Sequence, residues 1–313
     1  MSAKETIIAC AFQDNFLRKG DICSASQKLL ENFRPPLSAT AVERLEANGI
    51  TLVENTDEAS FTLSTDTAPR KELINIKPTF GAISRFGVAT QTSSLETVGC
   101  YAKTLDSLKP LMKIMAGKDP KDSTSLPENV FELTPNPIKI IGTLKDSPAP
   151  SGTIEKLKNL GYEIHEVNLP NAKFAEAVRE IIASAEAIGN TACLDGVRYG
   201  TRASENSIAA LYGTSRAEGL SAETKNKILL GNYIISHENY DKYFLKAARI
   251  RTLIINDLRK VFDEVDCLLG SPLPALAPLS GLPSATFSDS LTIIGRHKED
   301  VALLDLIEKM EVK

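Results

Sequence analysis

The chain has 313 residues, of which 42% are hydrophobic and 24% charged, an ordinary composition for a soluble globular protein. A formal net charge of -4 gives no basic field to grip phosphates, so direct nucleic-acid binding is not expected. Five cysteines, far apart and without a C-x-x-C pair, argue against a disulfide framework or a structural zinc site and fit a reducing cytoplasm.

The amino terminus carries only a short apolar run, and no stretch reaches the roughly 18 apolar residues that cross a bilayer. The expectation is a cytoplasmic protein without membrane association. From Ile7 to Gln13 the sequence reads as a buried strand that stops abruptly at Gln13-Asp14-Asn15, the kind of strand end at which an open α/β sheet presents ligand-binding groups. Ser38 is placed as the cap of a helix carrying Val42 and Leu45, closed by Gly49 and followed by the strand "GITLVEN".

A helix is expected from about Thr104 to Met115, and a buried strand over Pro137 to Leu144. "SGTIEKLKNLGYEIHEVNLP" then repeats helix, glycine stop and strand, with Ile164 and Val167 as the strand apolars. Lys173 to Phe262 reads as mainly helical. A proline-rich surface segment, the strand "SLTIIGRH" and a closing helix near Val301 to Met310 complete the chain. The β-α-β rhythm predicts one α/β domain over 1–313, a mixed and mostly parallel sheet flanked by helices.

His165, His237 and His297 stand apart and form no metal-spaced pair, and there is no dinucleotide fingerprint, Walker loop or nucleophile elbow. No metal or other cofactor is therefore expected. The serine clusters read as turns and caps. In "LDGVRYGTR" and "YGTSRAEG" an arginine sits beside a tyrosine within glycine-bounded turns, a pairing suited to a small carboxylate unless local Asp195 or Glu218 engages the arginine.

Several long segments, in order, resemble the amidase signature family, and within it the A subunits of tRNA-dependent amidotransferases: "IKPTFGAISRFGVATQTSSLETVG", "MAGKDPKDSTS", "DGVRYGTR", "YGTSRAEGLSAETKNKILLGNYIIS" and "LTIIGRHKEDVALL". The resemblance implies that the first strand should end in Lys-Asp-Asn, the lysine being the base that works with two serines of a glycine-rich segment. Gln13 occupies the lysine position, and a neutral amide cannot serve as general base. The interval that should hold both serines and the oxyanion-hole glycines is crossed by "TLSTDTAPRKELINI" alone.

On that basis no catalytic residue is expected, and the chain is anticipated to be a non-enzymatic relative that acts by binding. Arg216 matches a family segment implicated in glutamine binding; with Tyr199 and Arg202 it forms the candidate site for a small amide or carboxylate. The expected protein partner is a B- or C-subunit-like chain or a second copy, docked on apolar surface uncovered by the missing segments. The alternative is amide hydrolysis by rebuilt chemistry, supplying ammonia for transamidation, with a thiol at Cys10 or Cys23 as the first nucleophile to test; a hydroxyl of Ser64, Thr65 or Thr67 lacks a nearby lysine that matches the base.

Overall fold

The structure, a computed structural model, describes residues 9–53, 61–65, 72–271, 273, 275–287 and 291–311. Among the described residues ten strands join one sheet: β1 (Ala9–Phe12), β2 (Thr51–Leu52), β3 (Phe61–Ser64), β4 (Ile74–Lys77), β5 (Gly99–Ala102), β6 (Ile140–Leu144), β7 (Glu163–Val167), β8 (Cys267–Gly270), β9 (Ser284–Phe287) and β10 (Leu291–Gly295). Their spatial order is β2-β1-β3-β5-β4-β9-β10-β8-β6-β7.

The mixed α/β sheet between helices agrees with the sequence. Parallel pairing is confined to the two flanks, β2-β1-β3 and β8-β6-β7. The middle, from β3 through β5, β4, β9 and β10 to β8, is antiparallel. The parallel pairs β1-β2 and β6-β7 each have a helix in the connecting segment, as a crossover between parallel strands requires.

Alternation sorts the central strands between two faces. Phe61, Leu63, Ile74, Ile76, Cys100, Ala285 and Ile293 enter one apolar core with α1 (Thr40–Ala47), α2 (Leu105–Met115), α3 (Ser151–Asn159) and α9 (Asp300–Glu311). The opposite parity is polar but buried: Thr62, Ser64, Asn75, Lys77, Ser284 and Thr286. A second apolar core lies over the β10-β8-β6-β7 side under α4 (Ala175–Thr191), α7 (Lys246–Glu264) and α8 (Leu276–Ser280). Helices α5 (Ile208–Gly219) and α6 (Ala222–Ile235) follow α4, each started by a serine, Ser207 and Ser221, that accepts from a backbone N–H one turn on.

Two local expectations change. Ser38 does not cap α1; its hydroxyl accepts from Lys19 N at 3.0 Å, and Ala39 occupies the cap position. The proline-rich segment is not on the surface: Leu276 and Leu279 are fully buried and α8 belongs to the second core. Its prolines punctuate a short helix that apolar packing draws inward. Ile7, Asn55 and Thr67 lie outside the described residues. Among the described residues no helix is long and apolar enough to cross a membrane.

Candidate functional site

Because β1 and β3 run parallel, with Cys10 opposite Phe61 and Phe12 opposite Leu63, their carboxyl ends emerge side by side. The three polar residues that follow β1 divide the work there. Gln13 Oε1 accepts from Thr65 N at 3.2 Å, and Asn15 Nδ2 donates to Thr65 Oγ1 at 3.0 Å. Asp14 faces the other way: its Oδ2 accepts from Ser24 Oγ and Ser26 N, both at 2.6 Å. That carboxylate pins a turn in which Ala25 and Ser26 hold positive φ values of 46° and 56°, a conformation that non-glycine residues adopt at a cost.

Thr65 opens into a crevice of ≈ 610 Å³. The turn Gln91–Glu96 forms one wall, Arg179 and Glu180 of α4 another, and Glu223, Asn226 and Lys227 of α6 a third. Helices α4 and α6 cross tightly at Gly231, where a Cβ would lie 2.1 Å from the Ser184 carbonyl oxygen. No larger residue permits that approach, so Gly231 sets the spacing of the two helical walls.

The turn is held from both sides. Arg251 of α7 donates to Ser94 Oγ at 3.0 Å and to its carbonyl at 3.2 Å, while Glu186 of α4 accepts from Ser94 N at 2.9 Å. Within it, Glu96 Oε1 accepts from Gln91 N and Thr92 N at 3.2 Å and from Thr92 Oγ1 at 3.0 Å. Glu96 Oε2 is buried without a partner among the described residues. Burial holds this carboxyl above its usual range, outweighing the Thr92 and Gln91 donors and the Arg85 charge, which pull the other way.

The sequence candidates distribute unevenly. Thr65 lines the crevice and Gln13 stands one hydrogen bond behind it. Arg216, Tyr199 and Arg202 are not among the crevice residues. Arg216 donates to the carbonyls of Thr191 and Leu194, both at 2.8 Å, at the carboxyl end of α4. Tyr199 packs on Phe33 with ring centroids 5.3 Å apart, and Arg202 is exposed. The neighbouring Arg198 pairs with Asp195 at 3.0 Å.

Burial pushes the Cys10 thiol up to about 12; burial, then the Asp14 charge, raises Cys23 to about 11. Both thiols are protonated near neutral pH and unsuited to attack. Glu96 is one of the crevice residues that the sequence reading missed, with those of the α4 and α6 walls. Its carboxyl reaches back to Gln91 N and to Thr92, five and four residues earlier, a spacing that no capping motif announces.

The family model described as Amidase matches residues 68–297. The A subunit of the glutamyl-tRNA(Gln) amidotransferase of Pediococcus pentosaceus is 32% identical over 337 residues, covering 86% of this chain and 69% of that protein. The crystal structure of its namesake from Thermotoga maritima superposes with a TM-score of 0.71 at 22% identity, over 95% of this chain and 81% of that one. The allophanate hydrolase of Kluyveromyces lactis reaches a TM-score of 0.74 at 20% identity, over 99% of this chain and 63% of that one. The 337-residue alignment engages only 86% of a 313-residue chain, so the relative carries positions without a counterpart here.

These likenesses overturn the expectation of a non-enzymatic chain. The relative is named as part of an amidotransferase, so the likeness is to a family of enzymes. Gln13, at the position where the resemblance implies a lysine, does not leave the strand end chemically empty. A hydroxyl and a carboxyl, supplied by other residues, line the crevice at that end.

Proposed function

The chain belongs to the amidase family, and from that premise we propose that it is an enzyme acting on the carboxamide of a small substrate held in the Thr65–Glu96 crevice. The observation that carries this reading is the placement of Thr65 Oγ1, held by Asn15 at the paired ends of two parallel strands and facing an open crevice. Such strand ends are where α/β sheets place their chemistry.

In the proposed reaction Thr65 Oγ forms a bond to the amide carbonyl carbon and the carbon–nitrogen bond breaks. The hydroxyl proton goes to the departing nitrogen, which leaves as ammonia, and water then releases the carboxylic acid from the threonyl ester. Gln13 cannot carry the proton. Glu180, which lines the crevice and has no cation partner among the described residues, is the carboxylate that can relay it. Ammonia release from carboxamides by the purified chain, compared with Thr65→Val, tests the reading.

A second reading, that this enzyme works within a larger assembly, draws on a row of exposed apolar side chains. Leu229 and Tyr233 lie one turn apart on α6 and are 69% and 54% exposed, and Tyr243 packs on Tyr233 with centroids 5.7 Å apart. A row of this kind is the usual mark of a protein-binding face, and the relatives are named as subunits.

A further inference from the structure

We propose that Gln27 is a positioning residue for the crevice: from the segment that follows β1 it completes the cap of α6, and so holds the wall carrying Glu223, Asn226 and Lys227 in register with Thr65. This deepens, and rests on, the reading of the crevice as a carboxamide site. Gln27 is 4% exposed, and both ends of its amide are engaged. Its Oε1 accepts from Ser221 N at 2.9 Å, and its Nε2 donates to Thr224 Oγ1 at 3.0 Å and to Ala25 O at 3.3 Å.

Ser221 is the N-cap of α6, and its hydroxyl accepts from Thr224 N at 3.2 Å. In a capping box the side chain three residues into the helix reaches back to accept from the cap's own N–H. Thr224 holds that position, and its Oγ1 is already met by Gln27 Nε2 and Ser221 Oγ. Gln27, 194 residues away in sequence, supplies the missing acceptor.

Gln27 imposes a position on α6 because its own segment is fixed on both sides. Before it, Asp14 pins the turn at Ala25 and Ser26; after it, Leu29 is fully buried and its carbonyl accepts from Thr201 N at 2.6 Å. One strand end thus places the Thr65 hydroxyl through Asn15 and the start of α6 through Asp14 and Gln27. Farther along α6, Gly231 sets the distance to α4. The crevice residues Glu223, Asn226, Lys227 and Leu230 lie between these two fixed points.

Loss of the Gln27 amide leaves the Asn15–Thr65 contact in place and frees only the wall. A wall that holds the substrate equally in the ground and transition states affects KM and not kcat. The test is ammonia release from glutamine by the full chain beside Gln27→Leu and Thr224→Val, with backbone amide hydrogen exchange measured on the same proteins without substrate. For Q27L the expected result is a KM raised at least about fivefold with kcat within about twofold of native. T224V removes the acceptor and keeps the side-chain shape, so KM should rise in the same direction, and the double variant should be no worse than Q27L alone, as for residues of one network. Exchange at residues 225–230 should quicken at least about fivefold in Q27L while residues 10–16 stay unchanged.

Should Q27L fail to fold, T224V is read by the same two measurements and decides. An unchanged KM, a fall in kcat alone, additive losses in the double variant, or exchange that quickens equally in both regions would overturn the proposal. Absence of ammonia release from the native chain would defeat the carboxamide reading, and the exchange pattern then decides the role of Gln27 by itself.

Discussion

Asn15 and Thr65 meet across the ends of two parallel strands, with Asn15 Nδ2 donating to Thr65 Oγ1 at 3.0 Å. The amide fixes the hydroxyl's position and leaves its lone pair partly engaged and its proton available to the crevice. Asn15 is thus a positioning residue. Asn15→Ala should lower kcat for ammonia release about tenfold to a hundredfold with KM little changed, as expected when a reacting group is misplaced by about an ångström. Equal kcat in the variant would show that the contact is only structural.

Gln13 acts through its acceptor oxygen. Gln13→Lys, which restores the residue type expected from the family resemblance, would set an ammonium against the Thr65 N–H that Gln13 Oε1 now receives at 3.2 Å. Two donors would then face each other. Urea unfolding should show a loss of about 1 kcal/mol, whereas Gln13→Glu, which keeps an acceptor, should lose less. A stabilised Gln13→Lys chain would contradict this account of the strand end.

Burial lowers Lys77 to about 7, against the pull of the Asp300 carboxylate, while its Nζ donates to Leu282 O at 2.8 Å. In the unfolded chain the lysine keeps its proton up to about pH 10.4. Over that window the unfolded state binds more protons than the folded one, so this residue makes stability rise with pH from about 7 and level off near the unfolded value. Lys77→Met should flatten the rise measured by urea unfolding between about pH 7 and pH 10; an unchanged slope would refute it.

Glu96 works in the opposite sense. Its folded pKa lies above the ordinary 4.5 because the carboxyl is buried. The folded state therefore holds a proton that the unfolded state has lost, and stability falls as pH rises from 4.5 through the folded value. Thermal melts of Glu96→Gln at about pH 4.5, 6 and 8 should show a smaller decline than the native chain.

For the exposed row on α6, sedimentation of the native chain is predicted to show a species heavier than the 33.9 kDa monomer. Leu229→Lys with Tyr233→Lys should return it to monomer without loss of helix content. A native monomer at working concentration would remove self-association as the use of that face.

The flanks of the fold were legible because they are built of repeats: strand, helix, glycine stop, strand. Gly49 and Gly161 both stand at positive φ beyond a helix end, as their place in the sequence implied. The central strands were not legible in pairing or direction. β3, β4 and β5 are buried at every position, so polar residues such as Thr62 and Asn75 alternate with apolar ones without reaching solvent. The site was half legible. The end of β1 marked the place, but Glu96 and the α4 and α6 walls come together only through tertiary packing, and Arg216 is tied to the carbonyls of Thr191 and Leu194 in a way no local pattern announces.

The most direct test of the central claim is ammonia release from glutamine, asparagine and butyramide by the purified chain, with Thr65→Val and Thr65→Ser measured beside it. The account predicts release by the native chain, retained in part by Thr65→Ser and reduced about a thousandfold or more by Thr65→Val, the scale of loss when a nucleophile is removed. Equal rates for the native chain and Thr65→Val, or no release from any of the three amides, would contradict it.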